Sequence, residues 1–147
     1  MSIKERVKND MVAAMKAQEK DRLATVRLIQ AALRKKEIDS QKEIDDAGMV
    51  SLLQGMVKQR RDSIEQFKKG NREDLVQKEE KELAIIESYL PAQLAPAELE
   101  KIVVDTIQEM GASSMKDMGA VMKAVTAKVA GQAEGSAVSQ LVRAKLS

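Results

Sequence analysis

The sequence contains no histidine and no cysteine. Without imidazole or thiol, Cys–His and Ser–His–Asp nucleophile arrangements are excluded, and so are His- and Cys-based zinc or iron sites. No disulfide framework can form, and nothing points to an oxidising compartment. Aromatic residues are nearly absent: Phe67 and Tyr89 are the only two. Unpaired bases therefore have no stacking platform, which argues against an RRM-like or OB-like reader. No Gly-rich loop followed by Lys-Ser/Thr is present to cradle a phosphate. No window approaches the ~20 apolar residues of a membrane span. The opening Met-Ser-Ile-Lys-Glu-Arg lacks an apolar signal core and is too acidic for a transit peptide, so the expected compartment is the cytoplasm.

What the sequence does contain is helix-forming. Its 147 residues are 44% apolar and 33% charged, with a formal net charge of +2. Ala, Leu, Lys, Glu, Gln and Met dominate, and charges of both signs suit helix surfaces carrying ion pairs. Apolar residues recur at helical spacing along nearly the whole chain. Ile3, Val7, Met11, Ala14 and Met15 form one stripe. Leu23, Val26, Ile29 and Leu33 form a second, with Asp21 placed as its N-cap. After Lys36 the pattern dissolves into a polar connection reaching Gly48, with room in it for a partial helical turn. A third run, Val50 to Phe67, closes at Gly70-Asn71, and a fourth runs from Leu75 to Leu90.

Both prolines fall in Pro91-Ala-Gln-Leu-Ala-Pro96, which marks a boundary. Pro96 suits the first turn of a fifth helix ending at Gly111. A sixth carries Met118 to Val129 and stops at Gly131, and Gly135-Ser136 opens a seventh. The fold class predicted is all-α. Residues 1–90 form an N-terminal helical domain with long antiparallel helices, 91–96 a linker, and 97–147 a three-helix module. Gly111, Gly131 and Gly135 read as structural corners. Gly119 lies inside the sixth helix, where it costs ~1 kcal/mol against alanine. Close approach of another helix or of a ligand backbone would explain it.

Residues 1–90 hold 19 Lys/Arg against 17 Asp/Glu, and residues 91–147 hold 6 against 6. Local clusters stand out at Arg34-Lys35-Lys36, at Lys58 with Arg60-Arg61, and at Lys68-Lys69 with Arg72. Lys116, Lys123 and Lys128 can share one side of the sixth helix, with Arg143 and Lys145 near the end. The candidates for phosphate contact are Lys116, Lys123, Lys128, Arg143, Lys145, Arg60 and Arg61. The Arg60-Arg61 pair also reads as an ion-paired surface, because Asp62 and Glu65 are close by. Asp45-Asp46 and Glu79-Glu80 read as solvated faces. Ser113-Ser114-Met-Lys116 is similar to the Ser-Ser-Lys set of amidases, but an N-cap explains the serines. Met110, Met115, Met118 and Met122 read as gap fillers of a small core. No catalytic residue, metal or cofactor is expected.

Several motifs resemble one family. Tyr89-Leu90-Pro91-Ala-Gln93-Leu94 is followed by Glu98, Gly111-Ala112 and Asp117-Met118-Gly119-Ala-Val121-Met122. Then come Gly131-Gln-Ala133-Glu-Gly135 and Val138-Ser139. Together they resemble the GatB/YqeY domain. Upstream, Lys58-Gln-Arg-Arg-Asp-Ser-Ile-Glu-Gln66 and Arg72-Glu-Asp-Leu75 resemble the N-terminal part of stand-alone YqeY proteins. Gln132 departs from the basic residue often found at that corner, which weakens a phosphate-gripping role there. The resemblance implies a C-terminal module similar to the tail of the B subunit of the glutamine-dependent tRNA amidotransferase. That tail helps to hold tRNA while a separate cradle domain performs amide transfer. Stand-alone YqeY proteins lack the cradle, so a carbon–nitrogen ligase label with glutamine as amide donor can follow the family by inheritance. The expected function is non-catalytic binding of tRNA, or of tRNA-handling machinery, through the C-terminal module. An accessory of the tRNA amidotransferase and a protein–protein adaptor are the alternatives. Neither DNA nor membrane is an expected partner.

Overall fold

A computed structural model describes residues 1–147. The chain is all-α and contains no strand. Its helices are α1 (Ile3–Lys16), α2 (Lys20–Ser40), α3 (Asp46–Lys69), α4 (Glu73–Glu87), α5 (Pro96–Met110), α6 (Met118–Val129) and α7 (Gly135–Leu146). A 3-10 turn, Met115–Asp117, precedes α6. The chain divides into two compact units, Met1–Leu90 and Pro91–Ser147.

In the first unit, α1 starts at a capping box. Ser2 Oγ accepts from the Glu5 amide at 3.2 Å, and the Glu5 carboxylate accepts from the Ser2 amide at 3.3 Å. Two N–H groups that a helix start leaves without partners are thereby satisfied. The apolar stripes of α1 and α2 meet those of α3 and α4 around Val7, Val26, Ile29, Met49, Leu53 and Ile86. Each such side chain, taken wholly out of water, contributes ~1.5–3 kcal/mol. The pair α3 and α4 forms an antiparallel hairpin across the Gly70–Arg72 turn, in which Asn71 adopts φ 56°.

Two expectations shift here. Helix α2 begins at Lys20 with Glu19 at its N-cap, so Asp21 lies in the first turn, where a carboxylate still favours the helix dipole. The polar stretch after Lys36 is helical at both ends, to Ser40 in α2 and from Asp46 in α3, so the connection itself shrinks to residues 41–45. Glu37 accepts from Lys4 Nζ at 2.8 Å and from the Ile44 amide at 2.9 Å. Those bonds hold the end of α2 against α1 until Gln41, at φ 56°, turns the chain out.

The second unit packs α5, α6 and α7 around a core made chiefly of valine: Val103, Val121, Val125, Val129, Val138 and Val142, with Leu99 and Leu146. Valine is a modest helix former but has one strongly preferred rotamer in a helix, so it packs with little entropy left to lose. Gly111 closes α5 at φ 64°, a conformation natural to glycine. Ala130 at φ 45° and Gly131 at φ 86° make the α6–α7 corner. The segment before α5 is clasped to that corner: the Leu94 amide donates to the Gln132 carbonyl at 2.8 Å, and Gln93 Nε2 donates to the Gly131 carbonyl at 3.1 Å.

Candidate functional site

The seven candidate cations fall into two groups. Four are already engaged. Lys128 Nζ lies 2.7 Å from Glu109 and donates to Thr106 Oγ1 at 3.0 Å, which ties α6 to α5. Lys145 Nζ lies 2.8 Å from Glu100, tying α7 to α5, and its hydrogen bond holds the Glu100 carboxyl below the usual glutamate range. Arg60 reaches Glu82 at 3.3 Å and Glu79 at 3.8 Å, with all three side chains mostly shielded from water. Arg61 meets Glu87 at 2.9 Å on a more exposed rim. Glu79, Glu82 and Glu87 all stand on α4, whereas the sequence pointed to Asp62 and Glu65 on the arginines' own helix.

Lys116, Lys123 and Arg143 are exposed and hold no ion pair. Successive helical residues rotate by about 100°, so Lys123 points about 160° away from the stripe of Val121, Val125 and Val129. Lys128 lies about 140° from Lys123 on the same wheel, so the two do not share one side of α6. Its flank faces α5 instead. On α7, Arg143 sits about 100° from the buried stripe of Val138, Val142 and Leu146, on the flank opposite Lys145. The turn bearing Lys116 packs against both α6 and α7. Lys101, which stands in no basic cluster of the sequence, is a further exposed cation of this unit without an ion pair.

Local geometry explains the serines. Ser114 is the N-cap of the 3-10 turn, its Oγ accepting from the Lys116 amide at 3.4 Å. The Ser113 amide donates to Asp117 Oδ2 at 3.1 Å. The Lys116 amine bonds to neither hydroxyl, so it activates neither serine oxygen in this arrangement. Gly119 has open space where a Cβ would stand, and so does Gly135 at the start of α7. Close approach of a neighbouring helix is therefore not what places glycine at 119. Met118 and Met122 pack on the core, whereas Met110 and Met115 are nearly half exposed.

Of the two acidic pairs, Asp45, Asp46 and Glu80 are exposed, as a solvated face requires, yet three of the four residues also have partners. Asp45 caps α3 through the Gly48 amide at 2.8 Å, Asp46 accepts from the Ile3 amide at 3.0 Å, and Glu79 joins Arg60. Tyr89 of the Tyr-Leu-Pro motif is buried at 1% exposure. Its hydroxyl donates to Asp10 Oδ2 at 2.6 Å, and the Arg6 guanidinium lies 5.2 Å from the ring centroid. Burial, then the Asp10 hydrogen bond, pushes the Tyr89 hydroxyl well above the usual tyrosine range. Every buried side-chain nitrogen and oxygen has a hydrogen-bond partner.

Comparison with known proteins adds the following. The family model described as Yqey-like protein matches residues 4–146. A curated relative from Lachancea thermotolerans, "Altered inheritance of mitochondria protein 41, mitochondrial", is 38% identical over 112 residues, covering 74% of this chain and 59% of the relative. The protein of that name from Vanderwaltozyma polyspora is 33% identical over 119 residues, covering 76% and 64%. The one from Pyrenophora tritici-repentis is 29% identical over 134 residues, covering 89% and 73%. This chain thus spans less than two thirds of the length of the first two relatives. Their names correct the cytoplasmic expectation, since all three are named as mitochondrial proteins. The physical reason is that a thiol-free helical fold without apolar runs suits any reducing compartment, so those absences never selected the cytoplasm.

Proposed function

This chain belongs to the YqeY-like family, and from that premise we propose that it binds tRNA or a similarly folded RNA through its second unit, without performing chemistry. The observation that carries the reading is the set of exposed cations Lys116, Lys123 and Arg143, none of which is neutralised by a carboxylate of its own chain. Such groups gain from a polyanion what ion-paired neighbours have already gained internally. Lys128 and Lys145 are secondary contributors, because exposed ion pairs are worth under ~1 kcal/mol and yield to phosphate. With two aromatic residues in the chain, recognition proceeds through backbone shape and charge, not through stacked bases. The motif resemblance of this unit to a tRNA-holding tail points the same way.

The test is titration of fluorescently labelled tRNA at increasing salt. Three phosphate contacts give a slope of log K against log salt of about −2 to −3. Reversing Lys116, Lys123 and Arg143 to glutamate should flatten that slope and weaken binding. Absent binding at low ionic strength, or binding indifferent to salt, removes the proposal. Adding the protein to an amidation assay on Glu-tRNA separates binding from an accessory role, since a pure binder leaves the rate of amide transfer unchanged.

A further inference from the structure

The first unit carries an open groove of about 490 Å³ between the second half of α2 and the first half of α3. Ala32, Ile44, Leu52 and Met56 give it apolar walls. Apolar concavities of this size favour an occupant that displaces their water. Three independent features say what kind of occupant.

The first is Gly55, which lines the groove from the interior of α3. Glycine is among the poorest helix formers, so a glycine there calls for a reason. Packing within this chain does not provide one, because a Cβ at Gly55 would meet nothing within 4 Å. Gly48 on the same helix differs, since a Cβ there would collide with the Ile44 side chain. At position 55 an added side chain would fill the groove itself.

The second feature is charge. Lys35 and Lys36 line the groove, are exposed and hold no ion pair, and Asp39 is the only carboxylate among the lining residues. Beyond the groove, residues 1–42 hold 11 Lys/Arg against 6 Asp/Glu, while residues 43–147 hold 14 against 17. The wall formed by α2 thus belongs to the part of the chain that is net positive. The third feature is the apolar floor. A nucleic-acid backbone could meet the lysines but would leave that floor uncovered, and no aromatic ring lines the groove to stack a base.

We infer that this groove docks an acidic peptide segment of a partner protein. An apolar side chain of the segment sits over Gly55, and its flanking carboxylates meet Lys35 and Lys36. Between Gly48 and Gln59 the groove follows about 17 Å of α3, room for three turns of a partner helix. The inference stands apart from RNA binding by the second unit.

It can be tested by panning a phage-displayed random peptide library on the immobilised full chain, then measuring a synthetic winner by fluorescence anisotropy. The expected winners carry an apolar residue flanked by Asp or Glu. Joint Lys35→Glu and Lys36→Glu substitution should weaken a winner about tenfold, as two lost rim pairs imply. Gly55→Gln should abolish binding while raising the melting temperature, since glutamine is the better helix former. That pairing separates a filled groove from a damaged fold. No enrichment, enrichment of basic peptides, or equal binding to the Gly55→Gln variant overturns the inference. So does sedimentation as a dimer that Gly55→Gln dissolves, because a second copy would then be the occupant.

Discussion

In the first unit the polar links between helices are mostly side chains of opposite charge. Lys4 and Glu37 join α1 to α2, Arg60 with Glu79 and Glu82 joins α3 to α4, and the Tyr89 hydroxyl reaches Asp10 of α1. In the second unit two ion pairs, Lys128 with Glu109 and Lys145 with Glu100, tie α6 and α7 to α5. Backbone adds the Leu94 amide on the Gln132 carbonyl and left-handed residues at Gly111, Ala130 and Gly131. The cores differ. Met49, Leu53, Met56 and Tyr89 fill the first with long or broad side chains, whereas six valines and two leucines fill the second. A helix pair locked by charge across its seam has used those charges. The second unit uses two of its six cations, Lys128 and Lys145, in the same way and leaves Lys101, Lys116, Lys123 and Arg143 outward.

The largest test of this contrast truncates each core. Leu53→Ala removes a fully buried side chain from the first unit and should cost about 2–5 kcal/mol. Val125→Ala, equally buried, loses two methyl groups and should cost about 2 kcal/mol. Urea unfolding followed by residue-resolved NMR reads both. If each substitution lowers the midpoint of its own unit alone, the units fold separately. A shared shift would mean that they unfold together, and the contrast would then describe one cooperative structure.

The sequence carried the second unit's helices almost to the residue, and the reasons are local. Pro96 stands at the first turn of α5, Gly111 caps it, and Gly135 opens α7, each by a rule that involves only neighbouring residues. The first unit was less legible where the determinant was distant. Nothing near Glu37 announces that its carboxylate reaches Lys4, 33 residues away, so the end of α2 read as a connection. The candidate cations divide the same way. Charge runs show which residues are cationic, but pairing of Arg61 with Glu87, 26 residues on, is set by the α3–α4 seam. Gly55 offered no local signal, because a glycine inside an otherwise good helix acquires meaning only once the space around it is known.

A next test concerns the Tyr89 clasp. Tyr89→Phe keeps the ring, and with it the Arg6 contact, but removes the hydroxyl that Asp10 accepts. A hydrogen bond to a charged acceptor is worth about 1.5–3 kcal/mol, and Asp10, at 37% exposure and 3.6 Å from Arg22, regains part of that from water and arginine. The expected loss is about 1–2 kcal/mol by chemical denaturation. A loss below ~0.5 kcal/mol would move the weight of this unit from polar clasps to apolar packing.

Smaller still is the difference between the two arginines of α3. Arg60→Ala leaves Glu79 and Glu82 shielded and without their cation, and should cost about 1 kcal/mol. Arg61 and Glu87 are 50% and 38% exposed, so Arg61→Ala should stay within ~0.5 kcal/mol. The comparison is sharpened by salt. Added salt should erase the Arg61 effect and leave most of the Arg60 effect.

The smallest expected effect is a pH dependence, and it sets the two units side by side. The Lys4 hydrogen bond, then the Ile44 amide, hold the Glu37 carboxyl below the ordinary glutamate range. Lys145 does the same for Glu100. A carboxyl whose folded pKa is depressed adds stability that is complete above the unfolded value of about 4.3 and is lost as pH falls through the folded value. Lys4 is raised above 10.5 by the same bond, so its share is present below that value and fades only in stronger alkali. Between those limits neither pair should make stability depend on pH. Below about pH 4 both should weaken, and NMR titration of the carboxyl carbons should place Glu37 and Glu100 under the reference value. Their consequences should then part. Protonating Glu37 loosens α1, α2 and the connection before α3 at once, whereas protonating Glu100 loosens only α5 from α7. Glu37→Gln keeps an acceptor for the Ile44 amide and removes the charge, so it should cancel the acid sensitivity of amide exchange at the end of α2. If exchange there stays acid-sensitive in that variant, the end of α2 is held by some other carboxylate.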